Sequence, residues 1–329
     1  MRKPIRIGIT LTLLWRCFIV LANPTSDTNT DFETQWNKIR TANGFLAALD
    51  QSGGSTPKVL KLYGLPGLPE DACVEGEASM FEQVHAMRTR IMTAKAFRGD
   101  RILGAILFED TMDRTVQGMP TAQYLWQVKQ IVPFLKCDKG LADVENGVQI
   151  MKPMPDLDAL LKKAKEKGIF GTKMRSVIQT NNVEGIRNVV NQQFEIGKQI
   201  IRAGLVPIIE PEVDIHSPEK AECEIILKTF LLEKLNSLAD DEKVILKLSL
   251  PSVENYYQEC IEHPNCLRVV ALSGGYSREE ANELLSKQNG MIGSFSRALA
   301  QDLRHSMSEE EYEKELDTAI QSIFEASKT

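Results

Sequence analysis

Lys247 lies in Val244-Ile245-Leu246-Lys247-Leu248-Ser249-Leu250, an apolar run that reads as a parallel strand buried on both faces. Burying an ammonium is costly unless it is paired or loses its proton. A lysine kept partly neutral attacks carbonyls and can form a Schiff base. That chemistry needs acid/base groups nearby, because water must leave a carbinolamine.

Such groups stand at the ends of other apolar runs, spaced i, i+2: Asp50 with Ser52, Lys136 with Asp138, Lys173 with Arg175, and Glu210 with Glu212. Lys247 and Ser249 share the spacing, and Ser273 precedes Gly274 and Gly275. In a strand, i and i+2 point to one side. Facing outward, these pairs would lie unpaired beneath helices. Facing inward at the carboxyl end of a barrel, they pair with each other and meet a ligand.

Residue type then suggests roles. Lys247 is the candidate nucleophile. Lys173 is a second cation that disfavours protonation of its neighbour. Glu210 and Glu212 read as a carboxylate pair, one member suited to proton transfer, and Asp50 is a further acid/base. Ser273-Gly274-Gly275 offers exposed backbone N–H groups, and Arg297 adds a guanidinium; loops after the seventh and eighth strands form the usual barrel phosphate site. Ser52-Gly53-Gly54-Ser55, Lys136 and Arg175 make a second anion-holding set. Two such sites around a central lysine imply a small substrate with a phosphate at each end.

The elements that must position these residues alternate in type. Strands are expected at Gly44–Asp50, Ile102–Phe108, Ile131–Cys137, Ile169–Arg175, Leu205–Val213, Lys243–Leu250, Leu267–Ser273 and Met291–Phe295. Amphipathic helices are expected at Gln35–Thr41, Leu157–Lys167, Val183–Ala203, Pro218–Ala239 and Ser277–Gln288. This alternation predicts an α/β protein, a (β/α)8 TIM barrel. An extra C-terminal helix, Ser308–Lys328, carries Leu316, Ile320, Ile323 and Phe324 as its apolar stripe. An open doubly wound sheet is the alternative, without a Gly-x-Gly-x-x-Gly after the first strand to support it.

The chain has 329 residues and a net charge of −6, which disfavours nucleic acid as a partner. Four histidines and no C-x-x-C pair argue against a zinc site, and the core cysteines read as free thiols. Arg2, Lys3 and Arg6 precede a broken apolar stretch ending near Ala22, the pattern of a signal or targeting segment or of a disordered extension. Residues 23–31 read as a linker. The expected division is therefore residues 1–31 as leader and linker and 32–329 as one barrel domain.

The chain resembles the class I, Schiff-base fructose-bisphosphate aldolases, more the shorter bacterial and algal branch than the vertebrate form. The resemblance runs from about Asn37 to Lys328 and is carried by Leu49-Asp50-Gln51-Ser52, Lys136-Cys137-Asp138-Lys139-Gly140, Lys173-Met174-Arg175, Glu210-Pro211-Glu212, Leu246-Lys247, Leu272-Ser273-Gly274-Gly275 and Ser296-Arg297-Ala298-Leu299. It implies reversible cleavage of fructose 1,6-bisphosphate through an imine on Lys247, without metal or other cofactor. Glu210 would be the main acid/base, Lys173 would assist it, and Asp50 would handle the C4 hydroxyl proton. Ser273, Gly274, Gly275 and Arg297 would hold the phosphate beside the imine carbon. Ser52, Ser55, Lys136 and Arg175 would hold the distal phosphate, and Glu212 would orient Lys247 and Glu210. The family also implies a homo-oligomer and a glycolytic role in the cytoplasm, whereas the leader would imply an organelle or the secretory route.

Three departures stand out. Gln51 replaces an acidic residue after Asp50, and Ser296 stands where a glycine often precedes the arginine. The vertebrate terminal tyrosine has no counterpart; Tyr312 lies inside the tail helix, which leaves Glu210 to protonate the enamine. Rival readings are another Schiff-base barrel lyase, which needs only one phosphate site, and a binding protein on the same scaffold.

Overall fold

Each of the eight apolar runs becomes one strand of a closed parallel sheet. The computed structural model describes residues 28–51, 56–65 and 78–329. The barrel strands are β1 (Phe45–Leu49), β2 (Ile102–Leu107), β3 (Val132–Lys136), β4 (Gly171–Ile178), β5 (Val206–Val213), β6 (Val244–Ser249), β7 (Cys266–Leu272) and β8 (Ile292–Phe295). Successive strands pair in parallel, and β8 closes on β1 with Leu46 opposite Ser294. Closure excludes the open doubly wound sheet.

The period of two along each strand separates two apolar clusters. Leu46, Ala48, Ile106, Phe134, Ile208, Ile245, Val270 and Ile292 point inward and fill the lower barrel. Their neighbours Ala47, Leu49, Leu107, Leu135, Ile209, Leu246 and Ala271 belong to the larger cluster beneath the helices. Strand residues on both faces are therefore apolar, as parallel sheets require. The inward series continues upward into Asp50, Lys136, Lys173, Glu210 and Lys247, so the polar layer sits on a dry floor.

Helices α1 (Thr28–Thr41), α2 (Ala78–Thr93), α3 (Leu157–Glu166), α4 (Val183–Arg202), α5 (Lys220–Asn236), α6 (Arg278–Leu285) and α7 (Glu309–Ala326) include every expected one. Local chemistry sets several starts. Asn182 accepts a hydrogen bond from the Gly185 N–H at 2.9 Å and caps α4. Ser277 with Glu280, and Ser308 with Glu311, form capping boxes on α6 and α7, each cap stabilising its helix by about 1 kcal/mol. Leu316, Ile320 and Ile323 bury the face of α7 as the stripe predicts.

One expectation needs correction. The sequence reads as a linker through residue 31, yet α1 is helical from Thr28. Trp126 Nε1 donates to Asp31 Oδ1 at 3.1 Å, and the rings of Phe32 and Trp36 pack against Phe170, tilted and edge-on. Partners so distant in sequence leave no local signal in the chain near residue 28. The expected leader, Cys17, Cys73, and the loop Ser52-Gly53-Gly54-Ser55 lie outside the described residues. The four described cysteines are buried free thiols. No helix among the described residues is long and apolar enough to cross a membrane.

Candidate active site

The carboxyl ends of the strands surround a cavity of about 380 Å³. Its lining includes Asp50, Lys136, Lys173, Arg175, Glu210, Glu212, Lys247, Ser273, Gly274, Gly275 and Arg297, each a described residue to which the sequence gives a site role.

Lys247 is 4% exposed, and its Nζ lies 2.9 Å from Glu210 Oε1. The other oxygen of Glu210 lies 3.0 Å from Lys173 Nζ, which is also 2.7 Å from Asp50 Oδ2. One carboxylate thus bridges two lysines, and a second carboxylate holds the far lysine. Burial would lower the pKa of Lys173, but Asp50, Glu210 and Asp138 outweigh it and raise it above the ordinary lysine value. Burial would likewise push Asp50 up, yet Lys173, Lys247 and Lys136 hold it at about 2. Asp50 therefore meets a ligand as a carboxylate and Lys173 as an ammonium.

The backbone makes room for this meeting. The β5–β6 pairing runs only through Ile208 opposite Ile245 and Ile209 opposite Leu246. Beyond it, the Ser249 hydroxyl donates to Val213 O at 2.6 Å and accepts from Val213 N at 3.0 Å. The hydroxyl replaces ladder bonds where the strands part, and Glu210 and Lys247 meet in the opening. Ser249 shares the side of Lys247 but serves the backbone.

Two other expectations change. Glu210 and Glu212 do not act as a carboxylate pair, since each is bound to different cations. Glu212 Oε2 accepts from Arg175 Nε at 2.5 Å, so it orients Arg175 and not Lys247. Burial would lower Arg175, but its hydrogen bond and attraction to Glu212 raise it. Lys136 donates to Asp138 Oδ1 at 2.6 Å and to Asp138 O at 2.7 Å. It lines the cavity already paired. Asp138 also accepts from the Arg175 and Gly140 N–H groups, which makes it the organiser of the β3 and β4 ends. Burial would raise its carboxyl, but Lys173 and Lys136 lower it.

The anion-holding side opposite has a different character. Gly274 and Gly275 have φ of +59° and +130°. A Cβ on Gly274 would come within 2.7 Å of Ile215 Cγ2, so only glycine fits this turn. Ser273 is buried beside them, while Arg297 is exposed at the rim. Among the described residues Arg297 has no carboxylate partner, leaving its guanidinium available to an anion.

Sequence reasoning missed several residues. Arg88 on α2 is fully buried and donates to Gln51 and to Thr111; burial lowers it to about 10 against the pull of Asp50 and Asp110. Ser294 is buried on the cavity wall, and its hydroxyl lacks a hydrogen-bond partner among the described residues. The inward period of β8 could have flagged Ser294, and Val84, Ile91 and Met92 at helical spacing around it could have flagged Arg88. Tyr63 contributes to the wall, whereas Tyr312 is buried beneath the Arg90 guanidinium, 4.0 Å from its ring, and is absent from the lining.

Comparison with known proteins gives consistent likenesses. The family model described as fructose-bisphosphate aldolase class-I matches residues 74–254. Fructose-bisphosphate aldolase class 1 of a Synechocystis strain is 58% identical over 297 residues, covering 90% of this chain and 98% of that protein. A solved fructose-bisphosphate aldolase from Plasmodium falciparum aligns over 92% of this chain and 95% of that one, with a TM-score of 0.73. At 21% identity that likeness concerns the fold.

Proposed function

The chain belongs to the class I fructose-bisphosphate aldolases, and from that premise we propose how its residues share the reversible cleavage of fructose 1,6-bisphosphate into dihydroxyacetone phosphate and glyceraldehyde 3-phosphate. The reaction is the metal-independent, Schiff-base kind that serves glycolysis. The observation that carries the assignment is Glu210 set between Lys247 and Lys173.

Lys247 Nζ attacks the C2 carbonyl of the ketose. Glu210, within reach of that nitrogen, takes a proton from the adduct and returns one to the departing hydroxyl, so water leaves and a protonated imine forms. Asp50 accepts the C4 hydroxyl proton. The C3–C4 bond then breaks, its electrons flow into the imine, and glyceraldehyde 3-phosphate departs from an enamine. Glu210, reprotonated from solvent, delivers a proton to C3; addition of water then releases dihydroxyacetone phosphate and restores Lys247, while Asp50 returns the C4 proton to solvent. Lys173 keeps both carboxylates in register throughout.

Ser273, Gly274, Gly275 and Arg297 receive the phosphate next to C2, while Arg175 and Lys136 face the other end. Borohydride added with dihydroxyacetone phosphate tests the scheme: the reduced adduct should add mass on Lys247 alone. Modification of another lysine would remove the assignment. Self-association into a homo-oligomer and a cytoplasmic location belong to the same proposal, supported by the family resemblance. Light scattering tests the first. N-terminal sequencing of the native protein tests the second, because a mature start near Asn23 would indicate export or an organelle.

A further inference from the structure

The loops after β1 and β8 are joined by a hydrogen-bonded chain that the catalytic scheme leaves unused. Gln51 follows Asp50, and Ser296 precedes Arg297. Gln51 Nε2 donates to Ser296 Oγ at 2.6 Å, joining positions 245 residues apart. From the other side, one Arg88 nitrogen donates to Gln51 O at 2.7 Å and to Gln51 Oε1 at 3.3 Å. Its second terminal nitrogen donates to Thr111 Oγ1 at 2.7 Å.

A guanidinium only donates. The Gln51 amide oxygen must therefore face Arg88, which turns the amide NH2 toward Ser296 and makes Ser296 Oγ the acceptor. The proton of the Ser296 hydroxyl is left to donate elsewhere. Ser296 precedes the short helix Arg297–Ala300 but makes no capping bond to it. It lines the cavity together with Gln51 and Arg297.

We infer that Ser296 is a further substrate-binding residue, its hydroxyl donating to the phosphate held by Arg297, with Gln51 and Arg88 as the residues that position it. This inference rests on the aldolase reading and extends it. It also accounts for two departures from the family pattern at once. A glycine at 296 would supply no hydroxyl, and an acidic residue at 51 would have no proton to donate to one. The two substitutions make a single bond.

The test compares Ser296→Ala, Ser296→Thr, Gln51→Leu and the Ser296→Ala/Gln51→Leu double variant in steady-state cleavage of fructose 1,6-bisphosphate. Loss of one hydrogen bond to a charged group should raise KM about tenfold in Ser296→Ala, with a smaller change in kcat. Ser296→Thr keeps a hydroxyl and should restore most of the loss. Gln51→Leu should raise KM, and the double variant should be no worse than Ser296→Ala, because Gln51 acts through the hydroxyl. An unchanged KM in Ser296→Ala, or effects that multiply in the double variant, would overturn the inference. Borohydride trapping of the unmodified enzyme separates the two levels. A labelled Lys247 with an unchanged KM removes only the role of Ser296, whereas no label removes the aldolase reading beneath it.

Discussion

The amine of Lys247 and the carboxylate of Glu210 face each other at 2.9 Å from adjacent strands, both almost wholly buried. Neither would be tolerated there alone, since an isolated buried charge costs several kcal/mol. The strands bring them together just past the last paired residues of β5 and β6, so the interruption of the ladder is part of the site.

Replacing Lys247 by methionine keeps an unbranched side chain one atom shorter and removes the nucleophile. Activity should fall roughly 10³-fold or more, since no other group can carry the imine. Borohydride trapping should lose its adduct with intact folding. Residual adduct of full yield would place the imine on another lysine, with Lys173 the nearest alternative.

Glu210→Gln removes the proton carrier while keeping its shape. Turnover should drop about 10²- to 10⁴-fold, the range for loss of a general acid/base, with KM changed much less. Lys247 should still be trapped, but slowly, because dehydration of the carbinolamine lacks its catalyst. Rapid-quench measurement of adduct formation checks this, and an unchanged rate would shift the proton role to another group.

Asp50 makes stability depend on acid in a definite direction. Its folded pKa of about 2 lies below the ordinary value of 3.8, so its pairing stabilises the fold fully above 3.8 and is lost as pH falls toward about 2. The difference corresponds to roughly 2 kcal/mol. Asp50→Asn should lower stability by about that amount at neutral pH. It should also flatten the acid limb of a denaturation curve measured against pH. An acid limb identical to the unmodified protein would show that Lys173 does not depend on Asp50.

What the sequence made legible follows from periodicity. Eight apolar runs, five of them with polar residues two apart toward their ends, sufficed to place Asp50, Lys173, Glu210 and Lys247 on one inner surface, because side-chain direction in a strand is local. Pairing choice is not local. Glu212 reaches Arg175 instead of Lys247 because β4 pairs with β5, and Gln51 meets Ser296 because closure of the barrel sets β8 beside β1. Arg88 is a cation by type, and the partners that satisfy it when buried, Gln51 and Thr111, lie far off in sequence. The start of α1 was hidden for the same reason, its contacts lying on Trp126 and Phe170.

Ser249 offers a test of the strand opening itself. Its hydroxyl is 1% exposed and satisfies both the N–H and the carbonyl of Val213. Ser249→Ala leaves two backbone groups without partners in a dry interior, at a cost of about 2–4 kcal/mol in denaturant titration. Because the same bonds fix where β6 parts from β5, the trapping rate at Lys247 should fall as well, while KM moves less. A destabilised variant that traps at the normal rate would mean that Glu210 alone holds Lys247 in place. A variant of unchanged stability would mean that β5 and β6 can close the gap with backbone bonds, and that the opening is not enforced by Ser249.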